Sequence, residues 1–467
     1  MKAVYWFRND LRIHDNQTLV AAAKADSLIC IYVIDEAWFN QTRFGNTRIG
    51  FHKLKFLLEG LENLNQKLQS LGNKLIVKVG NPVEEVKNAC LATEATHLFY
   101  AKQMGFYESK EEEKLKAELP NLTQKKYLGQ TLFHVNNLPF KHNKIPEVFT
   151  EFRKKVEKYS EVNKLFESPK KLPPSSFVEE ITLPKIEDFN IQNLSSENYG
   201  GLIFKGGEDA ALERLKHYFW QTEKLKIYKS TRNGLLGMDY SSKFSPWLAW
   251  GFISPRKIYW EIKKFEAEIE KNVSTYWLIF ELLWRDFFAF TIQMHGKTPF
   301  LKDGINQIKK HWGFDPVKFE KWKNGKTGIP FVDANMRELN ATGFMSNRGR
   351  QNVASFLVHD LKLDWRAGAE YFEQQLIDYD VCSNWGNWNY VAGIGNDPRE
   401  NRWFNVVFQS NRYDAKAEYI KTWLPQLQNL PVEFAKKPWE AKPEQLAFAN
   451  LELGKDYPNP IMVDERW

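Results

Sequence analysis

Residues 2–16, KAVYWFRNDLRIHDN, begin with an apolar, β-branched run, KAVYWF, that breaks into a polar, charged turn. A run this short, bounded by polar residues, fits a strand covered on both faces. Three further runs repeat it: LICIYVI at 28–34, KLIVKV at 74–79 and HLFY at 97–100. Between them, FHKLKFLLEGLENLNQKLQSLG at 51–72 spaces its leucines three and four apart and closes on Gly72, a C-cap residue. Strand then helix, repeated, predicts an α/β doubly wound parallel sheet over residues 1–135. The turn RNDLRIHDN holds no GxGxxG, so a nucleotide cofactor must be held elsewhere.

From 136 to 205 periodicity fades and Pro, Ser and Asn rise, as in PKKLPPSS, which predicts an interdomain linker. Beyond it the strand pattern is absent. Helical segments such as EDAALERLKHYFWQTEKL, STYWLIFELLWRDFFAFTIQMH and RGRQNVASFLVHDLKLDWRAGAEYFEQQLI predict an all-α helical domain over 206–467.

Composition agrees with two globular domains: 467 residues, 43% hydrophobic and 26% charged. No apolar run approaches the roughly 20 residues that cross a bilayer, and no apolar signal region follows MKAVYWFRNDLR, so a soluble, cytoplasmic chain is expected. Cys30, Cys90 and Cys382 are far apart and lack ligand spacing, which argues against both a disulfide framework and a zinc site. A net charge of +7 is compatible with a polyanionic partner and decides little alone. The 17 tryptophans, most of them beyond residue 215, fill cores in the ordinary reading.

Four motifs carry possible chemistry, each with a structural alternative. The GKT at Gly325–Thr327 fails as a P-loop, because Glu320 stands where the first glycine belongs. In DYSSKFSPWLAWGFISP, Tyr240, Ser241, Ser242, Lys243 and Ser245 gather hydroxyls and a cation before a helix, suited to phosphates; the alternative is a helix capped by Ser245 ahead of Pro246. In FELLWRDFF, Glu281, Trp284 and Phe288 share one helical face, placing a carboxylate beside an indole; the alternative is an ion pair from Glu281 to Arg285. NRGRQN at 347–352 starts a helix, and LIDYDVCSNWGNWNY then brings Asp378, Asp380 and Asn384, so arginines and acids can pair across a pocket or simply between helices.

Together these motifs resemble the photolyase and cryptochrome family along essentially the whole chain. WFRNDLRIHDN, YSSKFSPWLAWG, ELLWRDFF, TGFMSNRGRQNVASFLVHDL, DWRAGAEYFEQQLIDYDVCSNWGNWNY and YIKTWLPQL follow the family's order. YSSKFSPWL, NRGRQNVASF and GIGNDPRENRWFN resemble its DASH branch. The resemblance implies FAD in the helical domain, with Tyr228 and Ser241, Ser242, Lys243, Phe244 and Ser245 on its phosphates. Asn347, Arg350, Asp378 and Asp380 are implied along the ribityl and isoalloxazine region, with Asn384 near flavin N5. It also implies Glu281 bonded to a damaged pyrimidine pair, Trp284 stacked against it, and an electron-transfer triad of Trp388, Trp365 and Trp312. Glu108, in MGFYESKEEE, matches a carboxylate that contacts a pterin antenna, commonly 5,10-methenyltetrahydrofolate; a solvated helix face is its alternative.

The implied reaction is blue-light-driven repair of cyclobutane pyrimidine dimers without a metal. Tyr390 stands where double-strand photolyases usually carry a second pocket tryptophan, and Gln351 where they carry a methionine. Both weaken an apolar grip on a flipped dimer, which predicts preference for single-stranded DNA over duplex DNA or RNA by a monomeric enzyme. A signalling photoreceptor with little repair is the competing expectation; the retained Glu281 and the absence of a long tail after YIKTWLPQL favour repair.

Overall fold

The apolar runs of the first half all become strands: β1 (Lys2–Trp6), β2 (Ser27–Asp35), β3 (Leu75–Gly80) and β4 (His97–Ala101). The computed structural model describes residues 1–141, 144–175, 182–194, 197, 199–397 and 402–467. Parts of the expected 136–205 linker, and residues 398–401 of GIGNDPRENRWFN, lie outside the described residues. A fifth strand, β5 (Thr123–Tyr127), escapes the sequence pattern because TQKKY is polar and mostly exposed. It sits at the sheet edge, where lysines discourage further pairing. Pairing is parallel throughout, in the order β3-β2-β1-β4-β5.

Side chains alternate across this sheet and both faces are covered, which explains why its strands read as unbroken apolar runs. Tyr5, Phe7, Cys30 and Tyr32 face α1 (Gln17–Ala22) and α2 (Phe51–Ser70). Val4, Trp6, Ile29 and Ile31 face α3 (Pro82–Ala92) and α4 (Phe106–Glu118). The strand order reverses between β1 and β4, so the chain diverges there and leaves a crevice at the strands' carboxyl ends.

The stretch expected to be irregular contains a helix, α5 (Phe149–Tyr159). Its apolar positions are few, but Phe149, Phe152 and Val156 share one stripe and are buried. Helices then follow one another, including α6 (Glu208–Lys216), α7 (Tyr228–Thr231), α8 (Ser245–Ala249), α9 (Pro255–Glu268) and α10 (Val273–His295). They continue through α11 (Pro316–Lys323), α12 (Pro330–Thr342), α13 (Asn347–Ser355), α14 (Trp365–Gln375) and α15 (Val381–Val391). The most apolar, α10, packs against α5, α7, α9 and α15 and so is enclosed on most sides. Among the described residues no helix is long and apolar enough to cross a membrane.

The polar turn after β1 clasps the sheet to the helices. Asp15 receives both arms of Arg256, at 2.9 and 2.9 Å, together with the Ser254 hydroxyl and the Phe166 amide. Arg12, also buried, donates to the carbonyls of His14, Asp15, Gly129 and, at the start of the helical part, Gly251. At Gly251 φ is +70°, and a Cβ there would stand 2.0 Å from the Asn9 carbonyl oxygen, so only glycine permits this approach. Glu208 takes the amides of Ile13 and His14, and Asp286 on α10 takes those of Leu132 and Phe133.

Burial pushes the Asp15 carboxyl up, but Arg256 and Arg12 outweigh it and hold it below the usual aspartate range. Its stabilising contribution is therefore complete above the unfolded value of about 3.9 and is lost as pH falls through the lower folded value. Arg256→Met leaves a buried, unpaired carboxylate. We expect a loss of about 3–5 kcal/mol at neutral pH, read as a fall in the denaturant midpoint, with Asp15→Asn in the same chain recovering part of it.

Candidate functional site

A cavity of about 1180 Å³ empty volume opens among α7, α8, α10, α13 and α15. One wall is the loop before α8. Arg214 on α6 braces it from behind, donating to the carbonyls of Met238, Ser241 and Ser242 at 3.0 Å each and pairing with Asp239 at 2.6 Å. With its carbonyls tied back, Ser241, Ser242, Lys243, Phe244 and Ser245 all line the cavity. Ser245 is the first residue of α8 and caps nothing with its side chain, so the capped-helix alternative fails. Lys243 is buried at φ +58°, and its Nζ has no hydrogen-bond partner among the described residues; it lies 3.5 Å from the Tyr240 ring centroid. Burial pushes its amine down to about 7, which an anion in the cavity would reverse.

Across from this loop the expected acid–guanidinium pairs are formed. Arg350 Nη2 meets Asp378 Oδ2 at 2.7 Å, while Asp378 Oδ1 is buried and without a partner among the described residues. Asp380 caps α15 through the Ser383 amide and receives Arg285 Nη2 at 3.2 Å. Asn347 stands at the start of α13 and lines this cavity and a continuation of about 700 Å³ that also reaches Asn384, Trp388, Tyr390 and Gln351. The Asn384 amide nitrogen is tied to the Ala369 carbonyl at 3.1 Å. The Gln351 oxygen accepts from Arg348 at 2.8 Å.

Glu281 does not pair with Arg285. Arg285 reaches the Gln130 and Leu248 carbonyls and Asp380, and Glu281 is met instead by Arg232 at 2.9 Å. Burial raises the Glu281 carboxyl and Arg232 opposes the rise. Sequence spacing misses Arg232, although it lies one helical turn beyond Tyr228, which is buried on the same cavity wall. One turn further along α10, Trp284 lies 3.6 Å from Phe149, ring on ring, and meets Tyr390 edge-on at 6.1 Å. Phe288 completes this apolar wall, 5.4 Å from Tyr390. A planar apolar group that also offers hydrogen bonds finds a surface and an acid–guanidinium pair side by side.

The three tryptophans of the expected triad run outward from the cavity. Trp388 lines it and is buried. Its ring lies over Gly368, where a Cβ would meet it at 2.2 Å, and Gly368 is one turn from the wholly buried Trp365. The indole nitrogens of Trp365 and the half-buried Trp312 donate to one acceptor, the Lys302 carbonyl, at 3.2 and 2.9 Å. All three free cysteines are buried. The GKT segment is structural, with the Thr327 and Gly328 amides on the Asp333 carboxylate.

A second cavity, about 990 Å³, fills the crevice at the sheet's carboxyl edge. Glu108 turns into it with Oε2 buried and unpartnered, so it does not sit on a solvated helix face. Burial raises Glu108 and lifts Glu111 to about 7. The helical part supplies the far wall through Trp250, Glu373 and Tyr379. Tyr379 also lines the cavity around Trp388, so the two spaces share this residue in their walls.

Residues 3–174 match the sequence model of DNA photolyase, and residues 277–466 that of the FAD-binding domain of DNA photolyase. The chain is 47% identical over 462 residues to a cryptochrome DASH of Synechocystis, covering 98% of this chain and 94% of that one. The crystal structure of a Synechocystis cryptochrome superposes with a TM-score of 0.95 at 46% identity, covering 99% and 96% of the two chains. A class III photolyase of Agrobacterium tumefaciens superposes at 0.86 and 28% identity, covering 100% and 95%. The Lys243 ammonium and the Asp378 oxygen, both without partners among the described residues and lining one cavity with the hydroxyls of Ser241, Ser242 and Ser245, fit the phosphates and polyol of FAD.

The brace behind the loop should govern that affinity. Arg214→Ala is expected to weaken FAD binding about tenfold or more, the scale of lost charge-assisted hydrogen bonds, with Arg214→Lys intermediate, as followed by flavin fluorescence titration.

Proposed function

The chain belongs to the photolyase and cryptochrome family, within its DASH branch, and from that premise we propose that it repairs cyclobutane pyrimidine dimers in single-stranded DNA under blue light. The observation that carries this reading is the Arg232–Glu281 pair beside Trp284, opening from the same cavity as the braced loop. Bound there, reduced FAD would supply, on absorbing light, the electron that opens the ring and is recovered afterwards. The protein's own residues do the rest. Tyr228, Ser241, Ser242, Lys243, Phe244 and Ser245 hold phosphates; Asn347, Arg350, Asp378 and Asp380 orient the polyol and ring; Asn384 presents its amide to the ring edge. Glu281, kept partly protonation-prone by burial, hydrogen-bonds the pyrimidine pair, and Arg232 balances its charge.

Preference for single strands follows from the wall. Trp284 already has one face on Phe149, and Tyr390 is smaller than a second tryptophan. Gln351 is held by Arg348 rather than packed as an apolar contact. Flipping a base costs a few kcal/mol, least from an unpaired strand, while stacking returns roughly 1–3 kcal/mol per base. A weakened stack therefore fails first on duplex DNA. The relatives' name, cryptochrome, supports a second reading, a light receptor with little repair; the intact Glu281–Arg232 pair favours repair.

The crevice cavity is the proposed place for 5,10-methenyltetrahydrofolate, with Glu108 accepting from the pterin and Arg8 nearby. Trp388, Trp365 and Trp312 are the proposed path by which electrons enter from the surface, in a protein that acts as a monomer.

Two measurements check these assignments. Dimer repair, followed by product chromatography, should be faster in single strands than in duplexes at equal concentration and should drop in Glu281→Ala with flavin content unchanged. Trp388→Phe should stop photoreduction of oxidised flavin yet spare repair by chemically reduced protein.

A further inference from the structure

A fourth indole touches the tryptophan path. Trp385, nearly buried, meets Trp365 edge-on with centroids 5.6 Å apart. Its Nε1 donates to the hydroxyl of Tyr379 at 3.2 Å. Tyr379 thus stands two side chains from Trp365, on a line that does not pass through Trp388 or Trp312. Its side chain and that of Glu373 line the same crevice cavity, and its ring lies 4.3 Å from the ammonium of Lys53. Lys53 in turn is fixed by the carbonyls of Arg48 and Glu373, at 2.9 and 2.7 Å.

We propose that Trp385 and Tyr379 form a branch of the electron path, ending in a tyrosine whose oxidation is coupled to proton transfer onto Glu373. The inference rests on the tryptophan path proposed above. When a one-electron oxidant, the illuminated flavin or an added radical, removes an electron from Trp365, Trp385 refills it and Tyr379 refills Trp385. As its electron leaves, the Tyr379 O–H bond breaks and the proton joins the Glu373 carboxylate. The products are two restored indoles, a neutral tyrosyl radical and a neutral carboxylic acid.

The direction has a physical reason. An indole can be oxidised with its proton in place, but a phenol holds a hole well only when its proton has an acceptor. Burial gives the Glu373 carboxyl a raised proton affinity, which Lys53 and Arg48 counter. The nearby Lys53 ammonium disfavours a cationic radical on the ring and leaves a neutral one unpenalised. A hole parked there can return only if the proton returns with it, which lengthens its life relative to one on Trp312.

The test has a light arm and a dark arm, both on the intact flavin-loaded chain. Under blue light Trp312→Phe should keep measurable photoreduction, and Trp312→Phe with Tyr379→Phe should lose it; complete block by Trp312→Phe alone overturns the branch while leaving the triad standing. Normal photoreduction in Trp388→Phe would instead sink the triad. In the dark, azidyl radicals from pulse radiolysis oxidise exposed indoles. Indolyl absorbance should then decay as phenoxyl absorbance rises, at a rate independent of protein concentration. Tyr379→Phe, which removes one hydroxyl, and Glu373→Gln, which removes the base, should each cut that rise several-fold. An unchanged rise in both refutes the assignment.

Discussion

The buried pairing of Asp15 with Arg256, beside the carbonyl clasp of Arg12, is the constraint on which the rest depends. Charges are costly inside protein, and this cluster persists because both Asp15 oxygens and all three Arg12 nitrogens have partners. It fixes the turn after β1 against the start of the helical part and so sets the width of the crevice between them. Neither half could form that cavity alone, since Arg8, Glu108 and Glu111 come from one side and Trp250, Glu373 and Tyr379 from the other.

The helical cavity is built on a contrasting principle. Its charged groups are only half satisfied: Arg350 holds one oxygen of Asp378 and leaves the other bare, and Lys243 is packed over aromatic rings without an acceptor. Such groups lower stability until an anion meets the ammonium and a hydrogen-bond donor meets the carboxylate oxygen. Arg214 and Arg285 bear the opposite role, spending their donors on backbone carbonyls to hold the walls apart. The same helix, α10, contributes to both, with Glu281 facing the cavity and Asp286 anchoring the chain before α5.

How much of this was legible varied with how local the cause is. The first four strands, the Gly72 stop and the start of α13 follow from short-range pattern, and the whole-chain motif order identified the family. β5 was hidden because an edge strand needs no apolar run, and α5 because three apolar residues among charges are a faint stripe. Side-chain partners were least readable. Spacing favoured Glu281 with Arg285, whereas the guanidinium that arrives belongs to Arg232, forty-nine positions earlier in the chain. Arg214 left no signal, because three of the four acceptors it holds are backbone carbonyls.

The ring of Phe149 has a bearing on modularity. It comes from the connecting stretch, yet lies flat on Trp284. Recombining the sheet of one relative with the helices of another would exchange the floor beneath that indole unless the crossover fell before α5. The connector packs with the helices as a third partner, and a chimaera that treats it as neutral spacer loses the shape of the wall that it was meant to preserve.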